Sequence, residues 1–227
     1  MSIVSPACLI TRTHMRRTSL TLALWLGACA SANTVPADIA QTPAELHAYV
    51  RSGQYEQEIR RIAGEATAWM NKRVSSGDER LVAVFDLDET LLSNLPLLEQ
   101  SDFDSSTAPW TEWEAGGNAP PIQPVADLLF AARAAGVRIV LLTGRRERQR
   151  AATLRNLGAI GLGCGFELWL KPDDERGPTS EFKALIQREM TERGAVIILN
   201  IGDQTGDFAG GFSEREFKLP NPFYVTK

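Results

Sequence analysis

Four short stretches are dense in leucine, β-branched and aromatic residues: 81–85, 138–142, 166–170 and 195–201. Runs of this length and composition read as buried strands. Between them apolar residues return at helical spacing, over about 124–135, 146–157 and 180–193. Strands alternating with helices of this size imply a parallel sheet with helices on both faces, a Rossmann-like α/β fold. Upstream, Thr42-Pro43-Ala44-Glu45 has capping-box spacing with proline at the first helical position. Ile59, Ile62, Ala63, Ala66, Trp69 and Met70 then recur with helical period. Residues 43–78 are therefore expected to be N-terminal helices ahead of an α/β core at 79–227.

In an open parallel sheet, ligands bind beyond the carboxyl ends of the strands. The residues that follow each apolar run are thus the informative ones. Asp86, Asp88 and Thr90 follow the first, and Thr143, Gly144 and Arg145 the second. Lys171 follows the third. Gly202, Asp203, Gln204, Thr205, Gly206 and Asp207 follow the fourth. Singly, each has a plain structural explanation: a tight turn at Thr143-Gly144, a solvated Lys171, a helix cap at Asp203. Together they put acid, hydroxyl, base and paired acids along one edge of one sheet.

That set has a coherent chemistry. A carboxylate can attack phosphorus. Charge neutralisation by a divalent cation and a lysine makes the attack feasible. A second carboxylate can protonate the leaving oxygen and then activate water. Asp86, Asp203 and Asp207 form an all-oxygen donor set with no His or Cys beside it, which suits Mg²⁺.

Composition narrows the context. The chain has 227 residues, 44% hydrophobic and 23% charged, with a formal net charge of −4. Before Cys29 there are three arginines and no acid, so the remainder holds 21 basic against 28 acidic residues, a net charge of −7. An acidic body argues against a general nucleic-acid binder. An anionic substrate must then be drawn in by local cations.

The N-terminus reads as a targeting segment, residues 1–29. Arg16-Arg17 precedes a short apolar run, Leu20 to Leu26, followed by small residues. The run is too short to span a bilayer. Leu26-Gly27-Ala28-Cys29 is similar to a lipobox, in which Cys29 would be acylated. Ordinary cleavage after Ala30 or Ala32 is the other reading. The lipobox is preferred because the cysteine closes the apolar run. It predicts an exported, periplasmic protein held at the outer membrane by Cys29, with residues 30–42 as a tether. Past Cys29, Cys164 is the only cysteine, so no disulfide framework forms within one chain.

Asp86-x-Asp88-x-Thr90, Leu142-Thr143-Gly144-Arg145, a lysine and Gly202-Asp203-x-x-x-Asp207 resemble the four motifs of the haloacid dehalogenase (HAD) superfamily. The finer resemblance is to its acid phosphatase branch: bacterial class C and lipoprotein enzymes, and plant acid phosphatases with the vegetative storage proteins. It is carried by Phe85 to Pro96, Asn200 to Gln204, Phe217-Lys218-Leu219-Pro220-Asn221-Pro222 and the double-tryptophan segment Trp110-Thr111-Glu112-Trp113. The resemblance implies a Mg²⁺-dependent acid phosphatase acting on small phosphomonoesters through an aspartyl-phosphate. Asp86 matches the nucleophile, Asp88 the general acid/base and Thr143 the second-motif hydroxyl. The metal would take Asp86, the Asp88 main-chain carbonyl, Asp203 and Asp207. Family spacing favours Lys183 over Lys171 as the phosphate lysine.

Thr90, Gly144, Arg145 and Lys171 are further substrate-side candidates. The interval 93–123 falls where the family places a cap, with Trp110 and Trp113 either stacking on substrate or packing the cap. Some plant storage relatives lack the nucleophile, so a catalytically weak storage or ligand-binding protein is the alternative. Asp86, Asp88, Asp203 and Asp207 are all present here and speak for activity. His14 falls in the leader, and His47, on the first helix, is read as structural.

Overall fold

The computed structural model describes residues 42–225. The targeting segment, the lipobox at Cys29 and nearly all of the tether lie outside the described residues. The chain enters through two helices, α1 (Pro43–Arg51) and α2 (Gln54–Val74). The capping box at the start of α1 is formed, with the Thr42 backbone N–H donating to Glu45 Oε2 at 2.7 Å. Gly53 separates the two helices because its φ of 77° is left-handed.

Five parallel strands follow: β1 (Leu81–Phe85), β2 (Arg138–Arg146), β3 (Glu167–Lys171), β4 (Val196–Gly202) and β5 (Glu216–Lys218), in the order β3-β2-β1-β4-β5. Between β1 and β2 lie α3 (Leu95–Gln100), α4 (Trp110–Gly116) and α5 (Gln123–Ala134). The interval 93–123 thus holds α3 and α4. After β2 come a 3-10 turn (Glu147–Gln149) and α6 (Arg150–Ala159), and α7 (Thr179–Glu192) joins β3 to β4.

Side chains alternate across β1 with the period of two that a pleated strand imposes. Val82 and Val84, with Val140, Leu142 and Ile197, pack on Phe182, Ile186 and Met190 of α7. Ala83 and Phe85, with Ile139, Leu141 and Ile201, share the larger core with α2 and α5. Both faces are covered, which explains why β1 is apolar throughout. Among the described residues no helix is long and apolar enough to cross a membrane.

Two expectations shift. β2 was expected to end at residue 142 but runs to Arg146, so Thr143, Gly144 and Arg145 lie within the strand, not after it. The reason is its pairing with β3, which slips between Thr143 and Arg146 and resumes at Arg146 with Lys171. Lys171 is accordingly the last residue of β3 and does not follow it. β5 was not foreseen: three residues with one buried apolar side chain, Phe217, carry too little pattern. The strand order reverses direction at β1 and β4, so the crevice between their carboxyl ends is where a ligand site belongs.

Candidate active site

The crevice holds a cavity of about 580 Å³. Asp86 leaves the end of β1 with its backbone N–H bonded to Ile201 of β4 at 3.0 Å. Asp203 and Asp207 follow β4. The carboxylate oxygens of Asp86, Asp203 and Asp207 lie within 4.8 Å of one another, and all three residues are buried. Gly202 makes this approach possible, since a Cβ there would lie 2.2 Å from Asp207 Oδ2.

Lys183, on the second turn of α7, reaches into the cluster. Its ammonium donates to Asp86 Oδ1, and to Asp207 Oδ1 at 2.6 Å. Three buried carboxylates against one ammonium leave two uncompensated negative charges. Burial, together with the neighbouring carboxylates, pushes the Asp86 and Asp203 carboxyls above their ordinary range. Burial opposes the charge of Lys183, but Asp86 and Asp207 outweigh it and hold the ammonium protonated. A hard divalent cation would offset the remaining charge and fits an all-oxygen donor set.

Around the cluster each acid is held in place. Asp203 accepts from Thr90 Oγ1 at 3.2 Å and Asn221 Nδ2 at 2.7 Å. Asp207 Oδ2 accepts from the Gln204 backbone N–H at 2.8 Å. The Asp207 carbonyl accepts from Asn200 Nδ2 at 2.7 Å and Gln187 Nε2 at 3.0 Å. These contacts fix the 3-10 turn Thr205–Phe208 against α7 and β4.

Asp88 has different surroundings. The Arg145 guanidinium grips it from Nε (2.9 Å) and Nη2 (2.6 Å), and Asn94 Nδ2 adds a third donor at 3.0 Å. Burial alone would raise the Asp88 carboxyl; Arg145 and Asn94 reverse this and hold it below the ordinary carboxylate range. Asn94 also binds Glu89 through its backbone N–H at 2.7 Å and through Nδ2 at 3.1 Å. Tyr224 donates its hydroxyl to Glu89. Burial and the charges of Asp88 and Asp203 push Glu89 well above its ordinary range.

Of the residues expected at the site, Asp86, Asp88, Thr143, Gly144, Arg145, Lys183, Asp203, Asp207 and Trp110 all line the cavity. Thr90 does not. It is fully buried, and its hydroxyl serves Asp203. Lys171 is also elsewhere, its ammonium donating to the Gly177 carbonyl in the loop before α7. Arg145 reaches the cavity but spends its guanidinium on Asp88. The two tryptophans part company: Trp113 donates its indole N–H to Asn94 Oδ1 at 2.7 Å, whereas Trp110 lies on the cavity wall, edge-on to Tyr224. His47 is away from the site, 2.9 Å from Asp102.

Sequence reasoning missed Glu89, Asn94, Glu114, Gln149, Asn221 and Tyr224 as parts of this constellation. Glu89, Asn94 and Asn221 fall inside the resembling segments, the one signal that singled them out.

A parallel α/β sheet with buried carboxylates and a lysine at the crevice between its central strands is an arrangement able to handle a phosphoryl group. Residues 9–227 match the family described as HAD superfamily, subfamily IIIB (acid phosphatase). The chain is 36% identical to acid phosphatase 1 of Solanum lycopersicum over 197 residues, covering 84% of this chain and 76% of that one. It is 30% identical to vegetative storage protein 1 of Arabidopsis thaliana over 193 residues, 81% of this chain and 72% of the relative. Among solved structures, the class C acid phosphatase of Bacillus anthracis with tungstate bound shares the fold, with a TM-score of 0.68 at 23% identity over 82% of this chain and 87% of that one. The chain belongs to the HAD subfamily IIIB acid phosphatases, and its class is that of a phosphomonoester hydrolase.

Proposed function

We propose that the chain hydrolyses small phosphomonoesters with Mg²⁺ and a covalent aspartyl-phosphate on Asp86. The observation that carries this reading is the Lys183 ammonium held between Asp86 and Asp207, beside Asp203, at the floor of the cavity. Asp86, Asp203, Asp207 and the Asp88 carbonyl would hold the metal, whose charge would neutralise the carboxylates and the phosphoryl oxygens.

In the first step an Asp86 carboxylate oxygen attacks phosphorus. The bond from phosphorus to the ester oxygen breaks, and protonated Asp88 gives its proton to the departing alcohol. In the second step Asp88, now a carboxylate, takes a proton from water. The water oxygen attacks phosphorus, the bond to Asp86 breaks, and inorganic phosphate leaves. Lys183, the Thr143 hydroxyl and the Gly144 backbone hold the phosphoryl oxygens. Trp110 supplies an apolar wall to the leaving group.

Hydrolysis of p-nitrophenyl phosphate by the mature protein tests this directly. Turnover with Mg²⁺, its loss after exhaustive chelation and its absence in Asp86→Asn are expected. Full activity after chelation would overturn the metal assignment. A storage role predicts no turnover under any of these conditions; the complete aspartate set favours the enzyme.

We further infer export and anchoring at the outer membrane through acylated Cys29, from the apolar run that ends in Leu26-Gly27-Ala28-Cys29. Cys29→Ser should release active enzyme from the membrane fraction or stall its processing. Wild-type protein already soluble, with Ser31 or Asn33 as its N-terminus, would show ordinary cleavage instead.

A further inference from the structure

Asp88, the group assigned to the leaving oxygen, marks one side of the cavity as the side of the alcohol. Glu114 of α4 lines the same cavity, close enough to Asp88 to feel its charge, and Gln149, which binds Glu114, lines it too. Glu114 is half-buried and carries a carboxylate that the phosphoryl chemistry does not use.

Its orientation is fixed by a short chain of hydrogen bonds. The Arg146 backbone N–H donates to Gln149 Oε1, which leaves Gln149 Nε2 to donate to Glu114 Oε2. Glu114 therefore acts as an acceptor, with its other oxygen left for the cavity among the described residues. Burial and the charge of Asp88 push its carboxyl upward by more than Arg145, Gln149 and Arg148 pull it down, so it lies within electrostatic reach of the general acid/base.

The cations that line the cavity are already paired with acids. Among the described residues lining the cavity the basic ones are Arg145 and Lys183. Arg145 is bound to Asp88, and Lys183 to Asp86 and Asp207. Arg148 lies outside the lining and pairs with Asp173 at 3.0 Å. An alcohol bearing its own phosphate or carboxylate would thus meet the Glu114 carboxylate in a cavity whose lining cations each already face an acid. An alcohol bearing hydroxyl or amino groups would meet an acceptor.

We propose that Glu114 makes the leaving-group side of the cavity select phosphomonoesters whose alcohol carries hydroxyl or amino donors and reject those carrying a second anionic group. This rests on the phosphatase reading and adds a specificity-determining residue to it.

Glycerol 3-phosphate and 3-phosphoglycerate test the idea as a matched pair, since they differ in a terminal hydroxymethyl against a carboxylate. At neutral pH the wild-type enzyme should favour the former in kcat/KM by about tenfold or more, the scale of one like-charge contact in a partly desolvated site. Glu114→Gln should bring the ratio to within about threefold, mainly by speeding 3-phosphoglycerate. Because the readout is a ratio, it does not depend on the fraction of active protein. A wild-type ratio near one, or a ratio unchanged in Glu114→Gln, would overturn the proposal while leaving the phosphatase reading intact. No turnover of either ester or of p-nitrophenyl phosphate by wild type would overturn the phosphatase reading, and this inference with it.

Discussion

Replacing Gly202 by alanine would add a single methyl group where the structure has no room for it. The new Cβ would lie 2.2 Å from Asp207 Oδ2, 2.6 Å from its Cγ and 2.7 Å from its Cβ. Ordinary van der Waals contact begins near ~3.4 Å, so the carboxylate must retreat by about 1 Å. It cannot do so freely, because Oδ1 is bound to Lys183 at 2.6 Å and Oδ2 to the Gln204 N–H at 2.8 Å. A retreat of that size takes both bonds to the edge of hydrogen-bonding distance. Each such charged contact is worth about 1.5–3 kcal/mol. Lys183 would keep Asp86 but lose the second carboxylate that holds it in position. A displacement of about 1 Å in a positioned site lowers rates by about a hundredfold, or ~2.7 kcal/mol. We therefore expect kcat/KM for p-nitrophenyl phosphate to fall by about a hundredfold in Gly202→Ala, with weaker Mg²⁺ binding by calorimetry. Gly163→Ala, where a Cβ meets nothing within 4 Å, is the control and should be silent. Activity of Gly202→Ala within threefold of wild type would refute the claim that Asp207 must sit where it does.

Lys183→Met should lower kcat by about a hundredfold, whereas Lys171→Met should act mainly through the loop before α7 and cost less; a larger loss from Lys171→Met would reverse the assignment. Arg145 holds the Asp88 carboxyl below its ordinary range, so the proton needed for the leaving group is lost earlier as pH rises. Arg145→Met should raise that carboxyl and carry the alkaline limb of the kcat profile to higher pH; a limb that stays or moves down would show that Arg145 does not set it. Gly64 is exposed within α2, and a Cβ there meets nothing within 4 Å. Gly64→Ala should raise stability by about 0.5–1 kcal/mol in denaturant unfolding, and a loss of stability would contradict the open geometry.

The sheet was legible where burial writes itself as an unbroken apolar run. Val82, Val84, Ala83 and Phe85 face two different cores, so β1 carries no polar residue to confuse its reading. The last four residues of β2 were not legible, because Thr143, Gly144 and Arg145 serve the cavity, Arg146 binds the loop after β3, and only the pairing with β3 extends the strand. The four aspartates were legible because chain position relative to a strand end fixes their place. The surroundings of Asp88 and Glu89 were less so. Arg145 was singled out but not as the partner of Asp88. Asn94, just before α3, and Glu114 of α4 come from between β1 and β2, and Tyr224, which binds Glu89, comes from near the far end of the chain. Their meeting depends on tertiary packing that no local pattern records. Thr90 and Lys171 show the converse: correct chemistry near the correct strand ends, with side chains turned to Asp203 and to Gly177.

The central claim is that Asp86 is the nucleophile. Acid quench of the enzyme during turnover of a ³²P-labelled phosphomonoester, followed by peptide mapping, tests it most directly. The account predicts label on Asp86, released by hydroxylamine as an acyl-phosphate is, and none in Asp86→Asn. Label on another residue, or steady turnover with no trapped label under conditions that slow the second step, would contradict it.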